Sequence, residues 1–345
     1  MSTFPDVQKV GYGLMSFTWI PSRKFTQEQF NETLKQVIDK SNATVEHPIL
    51  LNGGEFYGVP ERHENISLIG NFFKSYPDYA DKVYLSVKGG IGPHWNPDTS
   101  VESFESCFAA INKYLQPLYE ARTKKPKTLD VFTMSRVGKE PIEEVMQYLG
   151  RKRSEGVFSE LCLSEVSAAT LEKALAVTPI SCIEMEFSLF DRYLADTGVF
   201  EVTRKHNIPI ICYSPLGKGL LTGLKTSDLA KDDFRNHMDR FSDQETVNNN
   251  NKLVEEVHKI SQKLNMQPSQ LALSWITTLS NTEFNGVKYP KLIPIPGSAN
   301  AARQIENISV VTLDKETLQE IADFLSTFKI SGYRYNKAAN ATLDI

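Results

Sequence analysis

The 345-residue chain is predicted to fold as a (β/α)8 TIM barrel, with a long loop after the seventh strand and an extra C-terminal helix. Three observations predict this fold. Short apolar runs alternate with stretches of helical period, eight such units follow one another, and no break in composition separates them. We therefore expect a single domain over residues 1–345, with its chemistry at the carboxyl ends of the strands.

The predicted strands are mostly apolar through their length, which is typical of parallel strands buried on both faces. They cover residues 10–15, 49–52, 83–88, 129–134, 160–163, 182–187, 208–213 and 292–296. The helices between them are indicated by caps and periodicity. Thr26 and Gln29 form a capping-box pattern before an apolar stripe that includes Phe30 and Leu34.

Composition and charge restrict the classes of partner and compartment. A net charge of −4 gives no basic surface for nucleic acid or an anionic membrane. The four cysteines have no C-x-x-C spacing, no apolar stretch reaches 18 residues, and the N-terminus lacks signal-peptide features. We expect a cytoplasmic and possibly also nuclear protein with no metal, whose oligomeric state stays open with a monomer favoured. The one basic run is interpreted as a solvated loop: Arg122, Lys124, Lys125 and Lys127.

Two chemically complementary residues follow the second and third strands. Tyr57 lies just past residues 49–52, and Lys88 ends the strand at residues 83–88. An ammonium near a phenol stabilises the phenolate and lowers the tyrosine pKa from about 10. The pair therefore predicts a proton donor suited to carbonyl reduction.

The segment after the eighth strand has the features of a phosphate site. Gly297 and Ser298 precede a helix predicted to begin near Asn300, and Arg303 lies one turn along it. Free N–H groups at a helix N-terminus and a guanidinium together can hold a phosphate. Taken alone, this signal is weak, and an ordinary surface arginine is the simpler interpretation of Arg303.

Several motifs that follow one another along the chain resemble those of the aldo-keto reductases, barrel oxidoreductases that use NADPH. The resemblance runs over nearly the whole chain. It rests on residues 11–15, 53–58, Lys88, 213–223, 295–298, Arg303, Glu306 and Asn307. Within that family the pattern is most similar to yeast-type pyridoxal reductases, which implies NADPH-dependent reduction of an aldehyde, pyridoxal, to the alcohol pyridoxine.

The resemblance also implies residue roles. Tyr57 matches the general acid, and Lys88 matches the cation that activates it. Tyr213 matches the ring that stacks on the nicotinamide, and Arg303 matches the partner of the 2′-phosphate. The complete implied set of cofactor contacts is Ser164, Glu165, Glu184, Tyr213, Ser214, Leu216, Gly217, Ser298, Asn300, Arg303 and Asn307.

The chain departs from the family pattern at the catalytic centre. Asn52 stands where the family usually has aspartate, and Ser135 stands where it usually has histidine. Glu165 and Glu184 replace two amides expected at the nicotinamide carboxamide. We interpret the missing negative charge as supplied by Glu55, Glu165 or Glu186, and we expect the reduced catalytic set to favour a reactive aldehyde over unactivated ketones.

The substrate pocket is predicted to include Trp19, His94 and Trp95, with His94 as a possible replacement for the lost imidazole or an ordinary loop histidine. The long insertion over residues 218–244 is interpreted as a lid or an ordered excursion, with the lid favoured.

Two other functions are compatible with parts of the sequence. The chain could be an NADPH-binding regulatory subunit without significant catalysis, although Tyr57 and Lys88 argue against this. It could also be a barrel glycosidase that uses a carboxylate pair from Glu165, Glu184 and Glu186, which would leave Arg303 and Ser298 unexplained.

Overall fold

The computed structural model describes residues 4–93, 95–340 and 343–344. Its main sheet has eight parallel strands, and each strand pairs with the next barrel strand along the chain. These strands are β1 (Tyr12–Gly13), β2 (Ile49–Gly54), β3 (Val83–Gly89), β4 (Leu129–Met134), β5 (Phe158–Ser164), β6 (Cys182–Glu186), β7 (Ile210–Tyr213) and β10 (Leu292–Pro294). A small antiparallel hairpin, β8 (Glu283–Phe284) and β9 (Val287–Lys288), precedes the last of them and was not predicted.

Hydrogen bonds between the first and last strands close the sheet into a barrel. The Gly11 N–H donates to the Pro294 carbonyl at 2.9 Å, and the Gly13 N–H donates to the Pro296 carbonyl at 3.0 Å. A Cβ on Gly11 would lie 2.8 Å from the Leu50 carbonyl oxygen on β2 and 2.9 Å from Ile295 Cγ2 just after β10, so the close approach of the chain on both sides requires glycine there. The predicted (β/α)8 barrel is confirmed.

Alternate residues of each strand face the lumen or the helices, as the two-residue period of a strand requires. On the lumen face the lower positions are apolar, for example Leu50 and Cys182, and they form a buried cluster of their own. The next lumen-facing positions toward the carboxyl ends are polar, for example Asn52 and Glu184. The barrel therefore has an apolar floor and a polar upper layer.

The helices pack around the barrel in the predicted order. They are α1 (Gln27–Lys40), α2 (Glu64–Ser75), α3 (Val101–Ala121), α4 (Ile142–Ser154), α5 (Ala168–Val177), α6 (Val199–Lys205), α7 (Asp239–Ser242), α8 (Gln244–Lys263), α9 (Pro268–Leu279), α10 (Ala301–Ile308), α11 (Lys315–Thr327) and α12 (Lys337–Asn340). The capping box of Thr26 and Gln29 is confirmed at the start of α1. α11 is the predicted extra helix. Within the described ranges, no helix has both the length and the apolar character needed to cross a membrane.

The basic run before β4 is not simply a solvated loop. Arg122 is only 1% exposed, and its guanidinium pairs with Asp130 and donates to the Thr128 carbonyl. The Lys125 ammonium donates to the Val83 carbonyl at 2.6 Å, and burial lowers the pKa of Lys125 to about 8. The sequence interpretation was wrong for Arg122 and Lys125, because it treated charge as evidence of exposure, whereas these two cations hold the turn that leads into the barrel. Lys124 and Lys127 are exposed, as expected.

We predict that Arg122→Met destabilises the protein by about 3–5 kcal/mol, because it leaves the Asp130 carboxylate buried without its partner. The double variant Arg122→Met/Asp130→Asn should recover much of the loss, since the amide oxygen can still accept from the Leu85 N–H. Urea unfolding, monitored by circular dichroism, measures the free energy of unfolding of both variants. Equal destabilisation of the single and double variants would contradict this account.

Candidate active site

Four polar side chains meet in the upper layer of the lumen. The Lys88 ammonium on β3 donates to Glu184 Oε1 at 2.8 Å and to Ser164 Oγ at 3.4 Å. The Asn52 amide on β2 donates to Glu184 Oε2 at 2.8 Å. Glu184, which is 1% exposed on β6, therefore joins two strands from the opposite side of the barrel.

Glu184 supplies the negative charge that the Asn52 position lacks. Burial alone lowers the pKa of Lys88, but the Glu184 carboxylate and the Tyr57 oxygen outweigh it, and the net pKa lies above the ordinary lysine value. Lys88 is thus held as a cation. The carboxylate that pairs with Lys88 therefore lies on β6, whereas the family usually has it at the Asn52 position on β2.

The three glutamates that we expected in this role are instead committed to other cations, so that interpretation was wrong. The pairs are Glu55 with Arg62, Glu165 with Arg334, and Glu186 with Lys218. Glu55 also bonds His63 at 2.6 Å in the loop behind Tyr57. Because Glu165, Glu184 and Glu186 are all ion-paired, the carboxylate pair of the glycosidase interpretation has no free member.

Tyr57 lies buried in the loop after β2, where its N–H bonds the Gly54 carbonyl at 3.2 Å. Burial raises the pKa of Tyr57 above its ordinary value, and the Lys88 ammonium opposes this shift only in part. The expected net lowering of the pKa was wrong, because desolvation outweighs the cation. Tyr57 consequently holds its proton at neutral pH.

Ser135 and Arg136 follow β4 directly. Ser135 is buried, and its Oγ has no hydrogen-bond partner in the described part of the chain. The Arg136 guanidinium reaches back to the Ser135 carbonyl at 2.6 Å. Sequence reasoning assigned no role to Arg136, although its place at a strand end was the available signal.

Aromatic rings line one side of the mouth. Trp19 packs edge-on against Tyr57 at 5.3 Å, against Trp95 at 5.0 Å and against Phe234 of the insertion at 6.5 Å. The predicted pocket residues Trp19 and Trp95 are therefore neighbours, and Trp95 is 50% exposed. His94 lies outside the described residues.

The insertion is ordered and reaches the loop after β1. It contains short 3-10 helices at Thr226–Asp228 and Phe234–His237, followed by α7. The Asp232 carboxylate accepts from the Ser22 N–H at 2.7 Å and from its hydroxyl at 2.6 Å. The predicted excursion therefore links the loop after β7 to the loop after β1.

The proposed adenosine end is formed by the start of α10. Asn300 caps this helix by accepting from the Arg303 N–H at 3.0 Å, and Ser298 Oγ accepts from the Asn300 N–H. The exposed Arg303 guanidinium has no partner among the described residues. Asn307, by contrast, is buried and donates to Gln304 at 3.1 Å.

The loop after β7 has an irregular backbone. Left-handed φ values occur at Ser214 (48°), Gly217 (59°) and Lys218 (58°), and Leu216 precedes two of them with φ −102° and ψ 18°. The Gly217 N–H already donates to the Ser214 carbonyl at 2.9 Å, and Pro215 has no N–H, so the loop forms a tight turn at the strand end. Tyr213, at the start of the loop, lies under the Lys88 ammonium at 5.3 Å.

A C-terminal strap, residues 329–336, completes the mouth and was missed from the sequence. Arg334 is 5% exposed and pairs with Glu165 at 2.7 Å, while the Tyr335 and Tyr213 hydroxyls lie 3.1 Å apart. Burial raises the pKa of Glu165, but Arg334 reverses this, and the net pKa is lowered. No local motif marks the strap, because its partners lie far away in sequence.

Comparison with known proteins fits this geometry. A sequence model described as "Aldo/keto reductase family" matches residues 9–326. The chain belongs to the aldo/keto reductase family. Members are NADP-dependent oxidoreductases, and this chain is one of them.

The similar curated proteins cover almost the whole chain. "Probable pyridoxal reductase 2" of Schizosaccharomyces pombe is 34% identical, with 98% of each chain covered. "Putative pyridoxal reductase" of Saccharomyces cerevisiae is 34% identical, with 95% of this chain and 96% of the other covered. The structure of an aldo/keto reductase from Klebsiella pneumoniae in complex with NADP and acetate aligns with a TM-score of 0.64 at 17% identity, covering 96% and 95%.

Glu165 and Glu184 keep some capacity for the aldo/keto reductase cofactor. Each Glu184 oxygen accepts one hydrogen bond here, whereas a carboxylate has about four acceptor positions. Glu165 already accepts from Arg334 and from the Glu186 N–H. Their predicted contact with the carboxamide stays a prediction, and Glu184 has the larger free capacity.

We predict that Glu184→Gln lowers kcat by about 10- to 100-fold, part of the 10²- to 10⁴-fold that general acid catalysis contributes. Without the carboxylate, burial lowers the pKa of Lys88, so the cation is lost at lower pH. The basic limb of the kcat–pH profile should therefore move to lower pH. Steady-state kinetics from about pH 6 to about pH 10 measure this.

The matched control exchanges the amide and the carboxylate between positions 52 and 184. In Asn52→Asp/Glu184→Gln the carboxylate returns to β2, and the amide–carboxylate hydrogen bond across the lumen is kept with donor and acceptor reversed. This variant should regain most of the lost kcat and the original basic limb. A single variant with an unchanged profile, or a double variant no better than the single, would contradict a role for Glu184 as the partner of Lys88.

Proposed function

We propose that this aldo/keto reductase reduces an aldehyde to an alcohol with NADPH, and that pyridoxal, reduced to pyridoxine, is its substrate. The observation that carries the proposal is the buried Tyr57 beside Lys88, which Glu184 holds as a cation. The full-length similarity to proteins named as probable or putative pyridoxal reductases supports the choice of substrate.

The residues present fit NADPH. The Arg303 guanidinium at the start of α10 has no partner among the described residues and suits a phosphate monoester, and the tight loop at Ser214, Leu216 and Gly217 is proposed to border the pyrophosphate. The flat ring of Tyr213 suits stacking on the nicotinamide. When bound, NADPH supplies the hydride that reduces the carbonyl carbon.

Tyr57 is proposed to donate its proton to the carbonyl oxygen. Its raised pKa keeps the phenol protonated before reaction, and the Lys88 ammonium, which acts to lower that pKa, stabilises the phenolate that remains afterwards. Lys88 itself stays charged because of Glu184. Ser135 offers only a neutral hydroxyl where the family usually has an imidazole, so the set suits a reactive aldehyde.

The aromatic side of the mouth supports a flat substrate ring. Trp19 packs against Tyr57, Trp95 and Phe234 pack against Trp19, and rings of this kind bind planar apolar surface well. The insertion that carries Phe234 is proposed to act as the lid. The proposed compartment is the cytosol, which is consistent with four free, buried cysteines.

A regulatory subunit that binds NADPH without catalysis is the second candidate. The observation in its favour is the buried Ser135 hydroxyl, which has no partner in the described residues. The intact Tyr57 and Lys88 favour the reductase.

We predict that Tyr57→Phe lowers kcat for pyridoxal by about 10²- to 10⁴-fold, because the proton donor is removed. NADPH affinity should be unchanged, since the hydroxyl lies on the substrate side of the proposed site. The loss of NADPH absorbance during turnover measures kcat, and a fluorescence titration measures the affinity for NADPH. NADPH binding by the wild-type protein without turnover of any aldehyde would favour the regulatory subunit.

We predict that Arg303→Ala raises the dissociation constant for NADPH by about 10- to 100-fold, the range for loss of a charge-assisted hydrogen bond. Affinity for NADH, which has no 2′-phosphate, should hardly change. Isothermal titration with both cofactors checks this, and Arg303→Lys should retain part of the affinity. An equal loss for NADPH and NADH would remove Arg303 from the 2′-phosphate.

A further inference from the structure

A buried carboxylate begins the Tyr57 loop, which we define as residues 55–63 between β2 and α2. Glu55 is 2% exposed and lies two residues before Tyr57. Its Oε1 accepts from Arg62 Nε at 3.0 Å and from His63 Nε2 at 2.6 Å, and its Oε2 accepts from Arg62 Nη2 at 2.9 Å. These three side chains, which we call the Glu55 clamp, tie the first residue of the loop to its last two.

The Glu55 clamp also reaches the loop after β3. Arg62 Nη2 donates to the Ile91 carbonyl at 2.5 Å, and Arg62 Nη1 donates to the Gly92 carbonyl at 3.4 Å. Ile91 belongs to the same small buried apolar cluster as Tyr57. Bonds from a charged donor that is held by a carboxylate are among the stronger hydrogen bonds in proteins. The clamp therefore joins the two loops whose side chains pack with Tyr57.

The backbone around Tyr57 leaves its ring little freedom of its own. The Tyr57 N–H donates to the Gly54 carbonyl at 3.2 Å, and the Tyr57 carbonyl accepts from the Asn65 N–H at 3.0 Å. A Cβ on Gly54 would lie 2.6 Å from Tyr57 Cγ, so the ring lies directly against that backbone. The Glu55 N–H donates to the Lys88 carbonyl at 2.8 Å. A shift of the loop would therefore move the Tyr57 hydroxyl relative to Lys88.

The last residue of the loop has a strained backbone that the clamp holds in place. His63 has a φ of 75°, in the left-handed region that residues other than glycine adopt uncommonly. Such a conformation persists only when surrounding contacts fix it, and the bond to Glu55 is one such contact. Without the carboxylate, the loop can relax at His63.

We propose that Glu55 is a positioning residue for the proton donor: through Arg62 and His63 it fixes the Tyr57 loop, so that the Tyr57 hydroxyl keeps its place beside Lys88. The inference deepens the proposed aldehyde reduction and rests on it for the role of Tyr57. A shift of about 1 Å in a reacting group can cost about 10²-fold in rate. Glu55 acts on the reaction through Tyr57 and needs no contact with the substrate.

The test is a double-mutant cycle between Glu55→Gln and Tyr57→Phe. Glu55→Gln keeps the size of the side chain but loses the charge and one of the two acceptor oxygens. It should lower kcat for pyridoxal by about 10- to 100-fold and leave the dissociation constant of NADPH unchanged. In the Tyr57→Phe background the same change should lower kcat by less than about 2-fold, because the hydroxyl that the clamp positions is gone. Equal losses in both backgrounds would indicate a general structural role and overturn the proposal.

Arg62→Lys is the second variant, since the Arg62 side chain is 34% exposed and lysine keeps the charge beside Glu55. A single ammonium cannot replace the planar fork of donors, so kcat should fall by a smaller factor than in Glu55→Gln. Glu61→Gln is the matched control, because it removes an exposed carboxylate from the same loop and should leave kcat unchanged. Wild-type kcat in both Glu55→Gln and Arg62→Lys would rule out the clamp.

Hydrogen–deuterium exchange separates this proposal from the proposed function, because it needs no turnover. In Glu55→Gln the amides of residues 55–63 and 91–92 should exchange faster, while those of β5 and β6 keep their wild-type rates. If Tyr57→Phe is as active as the wild-type protein, the proposed role of Tyr57 fails, and faster exchange confined to these loops still supports Glu55 as the residue that holds Tyr57. Unchanged exchange in both loops overturns the positioning role, whatever the kinetics show.

Discussion

The candidate active site depends on the buried ammonium of Lys88 and on the carboxylate that neutralises it. An ammonium that is 6% exposed, as in Lys88, is costly to bury unless a carboxylate lies against it. Glu184 meets that need from the opposite side of the lumen, and its second oxygen binds Asn52. This bridge joins β2, β3 and β6, so the buried Lys88 can stay a cation only when the barrel closes in the correct register.

Part of this arrangement follows from sequence alone. Strand order, the polar carboxyl ends and the placing of Tyr57 near Lys88 could be predicted, because a parallel barrel directs consecutive strand ends to one face. The residue that supplies the missing negative charge could not be predicted. Glu184 is 132 residues from Asn52, and strand periodicity gives the face of a side chain but not its partner across the lumen.

The direction of the Tyr57 pKa shift escaped prediction for a related reason. Sequence supplies the presence of Lys88, which lowers the pKa, but not the depth of burial, which raises it and is the larger influence here. The same limit explains Arg122, whose charge suggested exposure although it is almost fully buried. In both cases desolvation, a property of the packed structure, decides the outcome.

The strap at residues 329–336 adds a second constraint on the mouth. Glu165 has a left-handed backbone, with φ at 54°, and its buried carboxylate depends on Arg334 for neutralisation. Removing the strap would leave an unpaired anion at the end of β5, which is strongly unfavourable in a buried position. The last segment of the chain is therefore part of the electrostatic balance of the site.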